Sequence, residues 1–314
     1  MTLSAIILAA GKATRMKSDR VKVMHEICGQ PMLTYVIDAC RAAGVSNIFL
    51  VVGHDKHSVI HAYARETLSG GLHFVEQAEQ KGTGHAVMVC RSAVEQHAGL
   101  EGDCFVLGGD GPLIRGATLL AVLAKHRETQ AAVTLATSLL PDPTGYGSIV
   151  RDAAGSVVGI VEQSDATEAQ KAIKEVNPTY WLFKTSELFS ALEGVQPNNR
   201  KGEYYLTDTL AILKKKGKRL EAVASVPPED VLSINTRAEL SLVQEVMQRR
   251  IQKAVMESGV TLTSPGNTWI EFGATIGQDA VLEPFSWIGA GAQIGSGVLV
   301  KAGTVVPRGT LFNG

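Results

Sequence analysis

Cysteine is scarce in this 314-residue chain: Cys28, Cys40, Cys90 and Cys104 are the whole set. They form no Cys-x-x-Cys pair and have no histidine at metal-ligand spacing. That argues against a structural zinc site and a disulfide framework, and leaves reduced thiols as the expectation. An excess of charge is lacking too. With 30 Lys and Arg against 31 Asp and Glu the formal net charge is −1, which points to neither nucleic acid nor a membrane surface as partner. Long apolar runs are missing: none approaches the roughly 20 residues that span a bilayer. The first such run, Leu3 to Ala10, has no basic flank and ends in Gly-Lys, so it reads as a strand and not as a leader peptide. A cytoplasmic location is the resulting expectation.

What is present describes a globular chain. Apolar residues make up 45% and charged residues 19%, and the length suits one large domain with an appendage, or two domains. In the first half, short apolar runs alternate with segments of helical spacing. Strands are predicted at Ser4 to Leu8, Asn47 to Val52, Leu72 to Val75, Cys104 to Leu107 and Ala132 to Ala136. Helices are predicted at Met32 to Ala43, Gly84 to Val94 and Ala117 to His126. Such alternation predicts an α/β fold with a Rossmann-like, doubly wound mixed sheet, whose ligands sit at the carboxyl ends of the strands. The loops after Leu8 and Leu107 are two such ends. From Asp142 to Phe183 short strands and Gly-rich turns predict an inserted β-rich lobe. Arg237 to Ser258 then reads as one long helix that connects rather than catalyses.

The most regular pattern is C-terminal. Ile270, Ile276, Leu282, Ile288, Ile294, Val300 and Val306 stand six residues apart, and Gly277, Gly289 and Gly295 directly follow members of the series. A period of six fits neither a helix nor a flat strand; it predicts a short C-terminal left-handed β-helix of hexapeptide repeats. Seven hexads make about two coils. A stack that short needs support, so it is expected to lean on the long helix or on other copies of the chain, with a trimer as the expected assembly. The expected division is residues 1–236, a linking helix over 237–258, and the repeats over 259–314.

The chemistry begins after the first strand, in Leu8-Ala9-Ala10-Gly11-Lys12-Ala13-Thr14-Arg15-Met16. Small residues let the backbone approach phosphates and present N–H groups to them. The loop is not a Walker A motif, because no Gly-Lys-Ser/Thr follows, and it does not match GxGxxG. A tight turn and a phosphate loop are both open readings of it alone. Arg15 and Lys22 favour the second, since cations just beyond such a loop can neutralise a leaving pyrophosphate.

Further motifs are Gln77-Ala78-Glu79-Gln80-Lys81-Gly82-Thr83-Gly84-His85-Ala86, Gly109-Asp110-Gly111-Pro112-Leu113, Gly145-Tyr146-Gly147, Gly159-Ile160-Val161-Glu162, Gly202-Glu203-Tyr204-Tyr205-Leu206-Thr207-Asp208, and Asn235. With the loop, they resemble the sugar-1-phosphate nucleotidyltransferases. Within these, the resemblance is closest to the uridyltransferase domains of bacterial bifunctional N-acetylglucosamine-1-phosphate uridyltransferase/glucosamine-1-phosphate acetyltransferases, and it covers about Leu3 to Arg237. It implies transfer of a uridylyl group from UTP to N-acetylglucosamine 1-phosphate, with Mg²⁺. Nucleotide binding then falls to Leu8, Ala9, Ala10, Gly11, Gln77, Gln80, Gly82 and Thr83, and catalysis to Arg15 and Lys22. The resemblance also implies sugar binding by Gly147, Glu162, Asn177 and Thr207, and metal binding by Asp110 and Asn235. Read without the resemblance, Gln80 could belong to a polar surface loop, Asp110 could cap a helix or form a turn, and Tyr205 could be a core tyrosine.

The chain departs from that family at Ala13, where a glycine is usual, at Val21, where a proline is usual, and at Gly108, where an aromatic is usual. Asn177-Pro178-Thr179-Tyr180 stands in place of Asn-Thr-Gly. The many coils that build an acetyl-transfer site in the bifunctional relatives are not expected here. Three alternatives stay open: UTP with N-acetylgalactosamine 1-phosphate, dTTP or UTP with glucose 1-phosphate, and a nucleotide-sugar binder without turnover.

Overall fold

Runs of buried aliphatic residues build the central sheet. In the computed structural model, which describes residues 2–11, 14–68, 70–163, 165–199 and 201–314, nine strands form it. They are β1 (Thr2–Leu8), β2 (Asn47–Val52), β3 (Leu72–Glu76), β4 (Gly102–Gly108), β5 (Val133–Leu139), β6 (Gly147–Arg151), β7 (Val157–Val161), β8 (Glu175–Lys184) and β9 (Leu220–Val223). The order across the sheet is β9-β5-β8-β4-β1-β2-β3, with the β6–β7 hairpin attached to β8. β1 runs parallel to β2 and β4, whereas β8 is antiparallel to β4 and β5. Ile6, Ile7, Phe49, Leu50, Val106 and Leu107 are fully buried, so the inner strands read as unbroken aliphatic runs.

From β1 the chain moves to β2 on one side and later returns to β4 on the other. The loops leaving β1 and β4 therefore diverge at a topological switch point, the place where open α/β sheets bind ligands. The helices longer than a single turn between strands of the sheet are α1 (Met32–Ala42), α2 (Lys56–Leu68), α3 (Thr83–Met88), α4 (Arg91–His97), α5 (Gly116–Thr129), α6 (Thr185–Leu192) and α7 (Asp208–Lys215). The single helix predicted over Gly84 to Val94 is in fact two, α3 and α4. The first ends in a tightened turn, with Cys90 N–H on the carbonyl of Val87, and apolar spacing runs through such a turn unchanged. All four cysteines are free and buried, and burial pushes Cys28 up to about 11 and Cys104 up to about 12, which makes them poor nucleophiles.

The chain forms two compact units, Met1–Val23 with Leu33–Ser233, and Met24–Met32 with Ile234–Gly314. In the second, a hairpin of Glu26–Ile27 and Gln30–Pro31 turns through Cys28 and Gly29, both at positive φ. Cys28 accepts from Phe272 N–H through its carbonyl and from Gln248 Nε2 through its sulfur. The helix α8 (Arg237–Glu257) starts at a capping box in which Thr236 and Glu239 satisfy each other's backbone N–H groups.

Beyond α8, nine two-residue strands form three parallel three-stranded sheets. Each strand pairs with the third one after it, as in Trp269 with Trp287 and Trp287 with Val305, so three hexads make one coil. Leu262, Ile270, Leu282, Ile288, Ile294, Val300 and Val306 pack in the interior. The number of coils is larger than the two expected: each face carries three rungs. Two signals were hidden. The first rung pairs Thr261 with Val281, a step slightly longer than three hexads that absorbs a turn at Pro265–Asn267, and the last is completed by an aromatic, Phe312. Corners repeat with the hexad period. Gly273, Asp279, Phe285, Gly291, Gly297, Gly303 and Gly309 all have φ between 62° and 77°.

Candidate functional site

A cleft of about 500 Å³ lies at the switch point. Its floor is made by the ends of β1 and β4, joined where Gly109 N–H donates to Leu8, while Ala9 N–H and Gln77 N–H donate to Val51 and Val52 at the end of β2. Leu8, Ala9, Ala10 and Gly11 line it on this side, and the N–H groups of Ala10 and Gly11 have no protein partner among the described residues. Open backbone donors in a small-residue loop suit anionic oxygens. Lys12 and Ala13, including the departure at Ala13, lie outside the described residues.

Gln77, Gln80, Gly82 and Thr83 form the next wall. Gln80 Nε2 donates to the carbonyl of Ala10 at 2.5 Å, which ties the two loops. Gly82 sits at φ 105°, and a side chain there would meet the carbonyl of Tyr204 at 2.6 Å. The close approach is held by Gly84 N–H to Tyr204, Tyr204 N–H to Lys81, and Leu206 N–H to Thr83 Oγ1. The motifs over 77–86 and 202–208 thus fold as one piece, and Thr83 has a structural task in it.

Asp110, just beyond β4, receives Lys22 Nζ at 2.5 Å. The pair is only partly exposed, so its attraction is less screened than that of a surface pair. Among the described residues no group of three or more His, Cys, Asp or Glu could hold a metal ion. One carboxylate beside open backbone N–H donors still fits a hard divalent cation such as Mg²⁺, which takes one or two protein oxygens plus substrate phosphates.

The opposite wall comes from the β-rich lobe: Gly145, Tyr146, Gly147, Glu162, Asn177, Pro178 and Thr179. A bulge in β8 between Val176 and Tyr180 brings the last three there. Pro178 cannot donate into a ladder, and Thr179 sits at φ 64°, a costly conformation for a β-branched residue. Asn177 Oδ1 holds it by accepting from Thr179 N–H at 2.9 Å and from the buried Trp181 Nε1 at 2.7 Å. That leaves Asn177 only its Nδ2 donor for a ligand.

Burial raises the Glu162 carboxyl above its ordinary range, Lys201 opposes the shift, and Asp165 and Asp208 add to it. A group whose pKa is raised on folding stabilises the fold below its unfolded pKa, and that contribution is lost as pH rises through the folded value. Glu162→Gln cannot ionise, so its melting temperature relative to wild type is expected to climb between pH 4 and pH 8. A difference that is flat or falls with pH would reject this origin of the shift.

Three sequence-predicted residues are not part of this cleft's lining. Arg15 is exposed on a short turn, Thr14–Met16. Thr207 is the residue before α7. Asn235 belongs to the second unit, where its N–H donates to Glu239 at 2.7 Å. Val23, Ala86, Tyr180, Glu203, Val231 and Ser233 line the cleft without having been singled out. Three of these carried a signal: Ala86, Tyr180 and Glu203 stand in the motifs that end at Ala86, at Tyr180 and at Asp208.

Residues 5–202 match the model of the MobA-like NTP transferase domain. The chain is 44% identical over 284 residues to bifunctional protein GlmU of Alkaliphilus metalliredigens, covering 90% of this chain and 60% of that protein. To the bifunctional protein GlmU of Listeria innocua it is 43% identical over 280 residues, 89% of this chain and 60% of the relative. It therefore spans about 60% of the length of the curated relatives it matches. In fold it is similar to UDP-glucose pyrophosphorylase complexed with UDP-glucose, with a TM-score of 0.63 and 18% identity over 80% of this chain and all of that one.

Proposed function

This chain belongs to the MobA-like NTP transferase family, and we propose that it transfers a uridylyl group from UTP to N-acetylglucosamine 1-phosphate, giving UDP-N-acetylglucosamine and pyrophosphate. The observation that carries the reading is that the N–H groups of Ala10 and Gly11, which have no partner among the described residues, line one cleft with Lys22 and Asp110. The acceptor side is supported by Glu162, which can bind hydroxyls, and by Asn177 Nδ2, a donor suited to an acetamido oxygen.

The sugar phosphate brings an oxygen that is already nucleophilic at neutral pH, so the protein needs no general base. Its work is alignment for in-line attack on the α-phosphorus and neutralisation of charge on the departing pyrophosphate. Ala10 and Gly11 would hold phosphate oxygens, and Lys22, with Arg15 as a second cation, would meet the charge that develops. Enzymes of this kind generally use a divalent cation; on this reading it would be Mg²⁺, with Asp110 as its ligand within this cleft, and when bound it would supply Lewis-acid neutralisation of the phosphates. The trimer expected from the repeats belongs to the same reading, and a monomer mass in light scattering at micromolar concentration would remove it.

Pyrophosphate release is the test, with UTP, dTTP and CTP each paired with N-acetylglucosamine, N-acetylgalactosamine and glucose 1-phosphates. The highest kcat/KM is expected for UTP with N-acetylglucosamine 1-phosphate. A faster pair elsewhere in the panel would reassign the substrates. No release from any pair would favour a nucleotide-sugar binder.

A further inference from the structure

Gln77 is buried, with 4% of its surface exposed, yet it lines the cleft. Its side-chain amide is not free to choose its orientation. Nε2 lies 3.2 Å from the carbonyl of Gly82 and 3.0 Å from Nδ1 of His85. The carbonyl is fixed as the start of α3, where it also accepts from Ala86 N–H. A carbonyl can only accept, so the atom facing it must be the NH₂ group. His85 makes the same demand from a second direction when its proton is on Nε2 and Nδ1 carries the lone pair. Both amide protons are thereby used inside the protein. Oε1 has no donor among the described residues and is what remains for a ligand.

We infer that His85 is a positioning residue for the nucleotide base: with Gly82 it locks the Gln77 amide so that Oε1 alone meets the base, as an acceptor for the N3–H of uracil. This rests on the uridylyl reading above and deepens it. Uracil carries a proton on N3. Cytosine carries a lone pair there, which would face the lone pairs of Oε1. If the amide flipped to suit cytosine, Oε1 would turn against the Gly82 carbonyl and the His85 lone pair, so the lock converts a two-faced side chain into a reader of one sign. Gln80 differs: it spends one amide proton on Ala10 and keeps both kinds of group for the ligand.

The test measures equilibrium binding of UTP and CTP by calorimetry, and kcat/KM for both, in wild type, His85→Phe and His85→Asn. His85→Phe removes the acceptor, and the UTP-to-CTP ratio is expected to narrow about tenfold, through KM rather than kcat. Asn at this position can offer its amide oxygen where Nδ1 stood, so His85→Asn is expected to restore most of the ratio. In wild type, N3-methyl-UTP, which lacks the proton, is expected to bind at least about tenfold more weakly than UTP; this arm does not depend on any variant folding. Equal losses for both nucleotides, or an unchanged ratio in His85→Phe, would overturn the inference, as would N3-methyl-UTP binding like UTP. A protein that prefers UTP in binding but releases no pyrophosphate would sink the transfer reading and leave this one standing.

Discussion

Asp110→Ala is expected to lower turnover by about 10²–10³-fold at saturating Mg²⁺ and UTP, with a melting temperature close to wild type. Asp110 is partly exposed and beyond the end of β4, so its loss removes no core packing. What disappears is the carboxylate that holds Lys22 and that the proposed cation would need. Each factor of ten in rate corresponds to about 1.4 kcal/mol of transition-state stabilisation, so two to three decades is the scale of one well-placed electrostatic contact. Asp110→Asn separates two effects. It keeps the size and one oxygen but loses the charge, so its defect should lie near that of alanine if charge is what matters. Turnover within about threefold of wild type in Asp110→Ala would remove this residue from the chemistry altogether.

Much of this cleft could be read in the sequence because the features that form it are local. Buried parallel strands are continuous aliphatic runs, so β1, β2 and β4 were legible, and the small-residue loop after β1 sits where such a sheet binds ligands. The six-residue repeat was legible for the same reason, being a one-dimensional pattern. What escaped depends on contacts between distant segments. The hairpin at 26–31 falls in the second unit because Cys28 and Glu26 find partners in Gln248, Phe272 and Arg308, at the far end of the chain. Asn177 was expected to bind the sugar, and the demand of Trp181 and Thr179 on its oxygen could not be foreseen from spacing. The direction of the Gln77 amide was equally invisible, since it is set by a carbonyl and an imidazole rather than by residue type. Thr179 shows the converse: a glycine would be the easy choice at φ 64°, and its replacement by threonine is a departure visible in sequence whose cost appears only in the backbone.

The repeats offer the other large expected effect, and there the glycines divide into two kinds. Gly289 has no special φ, but a Cβ on it would stand 2.6 Å from the backbone nitrogen of Arg308 and 2.9 Å from the carbonyl carbon of Pro307, in the next coil. Backbone cannot step aside as a flexible side chain can. Gly289→Ala must push the rungs apart where Trp287 N–H bonds Thr304 and Gly289 N–H bonds Val306. Overpacking with weakening of those bonds is expected to cost about 3 kcal/mol. Gly303 is the contrast. At φ 75° a Cβ there would meet nothing within 4 Å, so Gly303→Ala is charged only for left-handed backbone, about 1–2 kcal/mol. Denaturant unfolding can be followed by the stacked indoles of Trp269 and Trp287, 5.3 Å apart, in a Trp181→Phe background that silences the remaining tryptophan. Equal losses in the two alanine variants would mean that close approach between coils is not what requires Gly289. A loss at Gly289 exceeding that at Gly303 by about 1 kcal/mol or more is what direct stacking of one coil on the next demands.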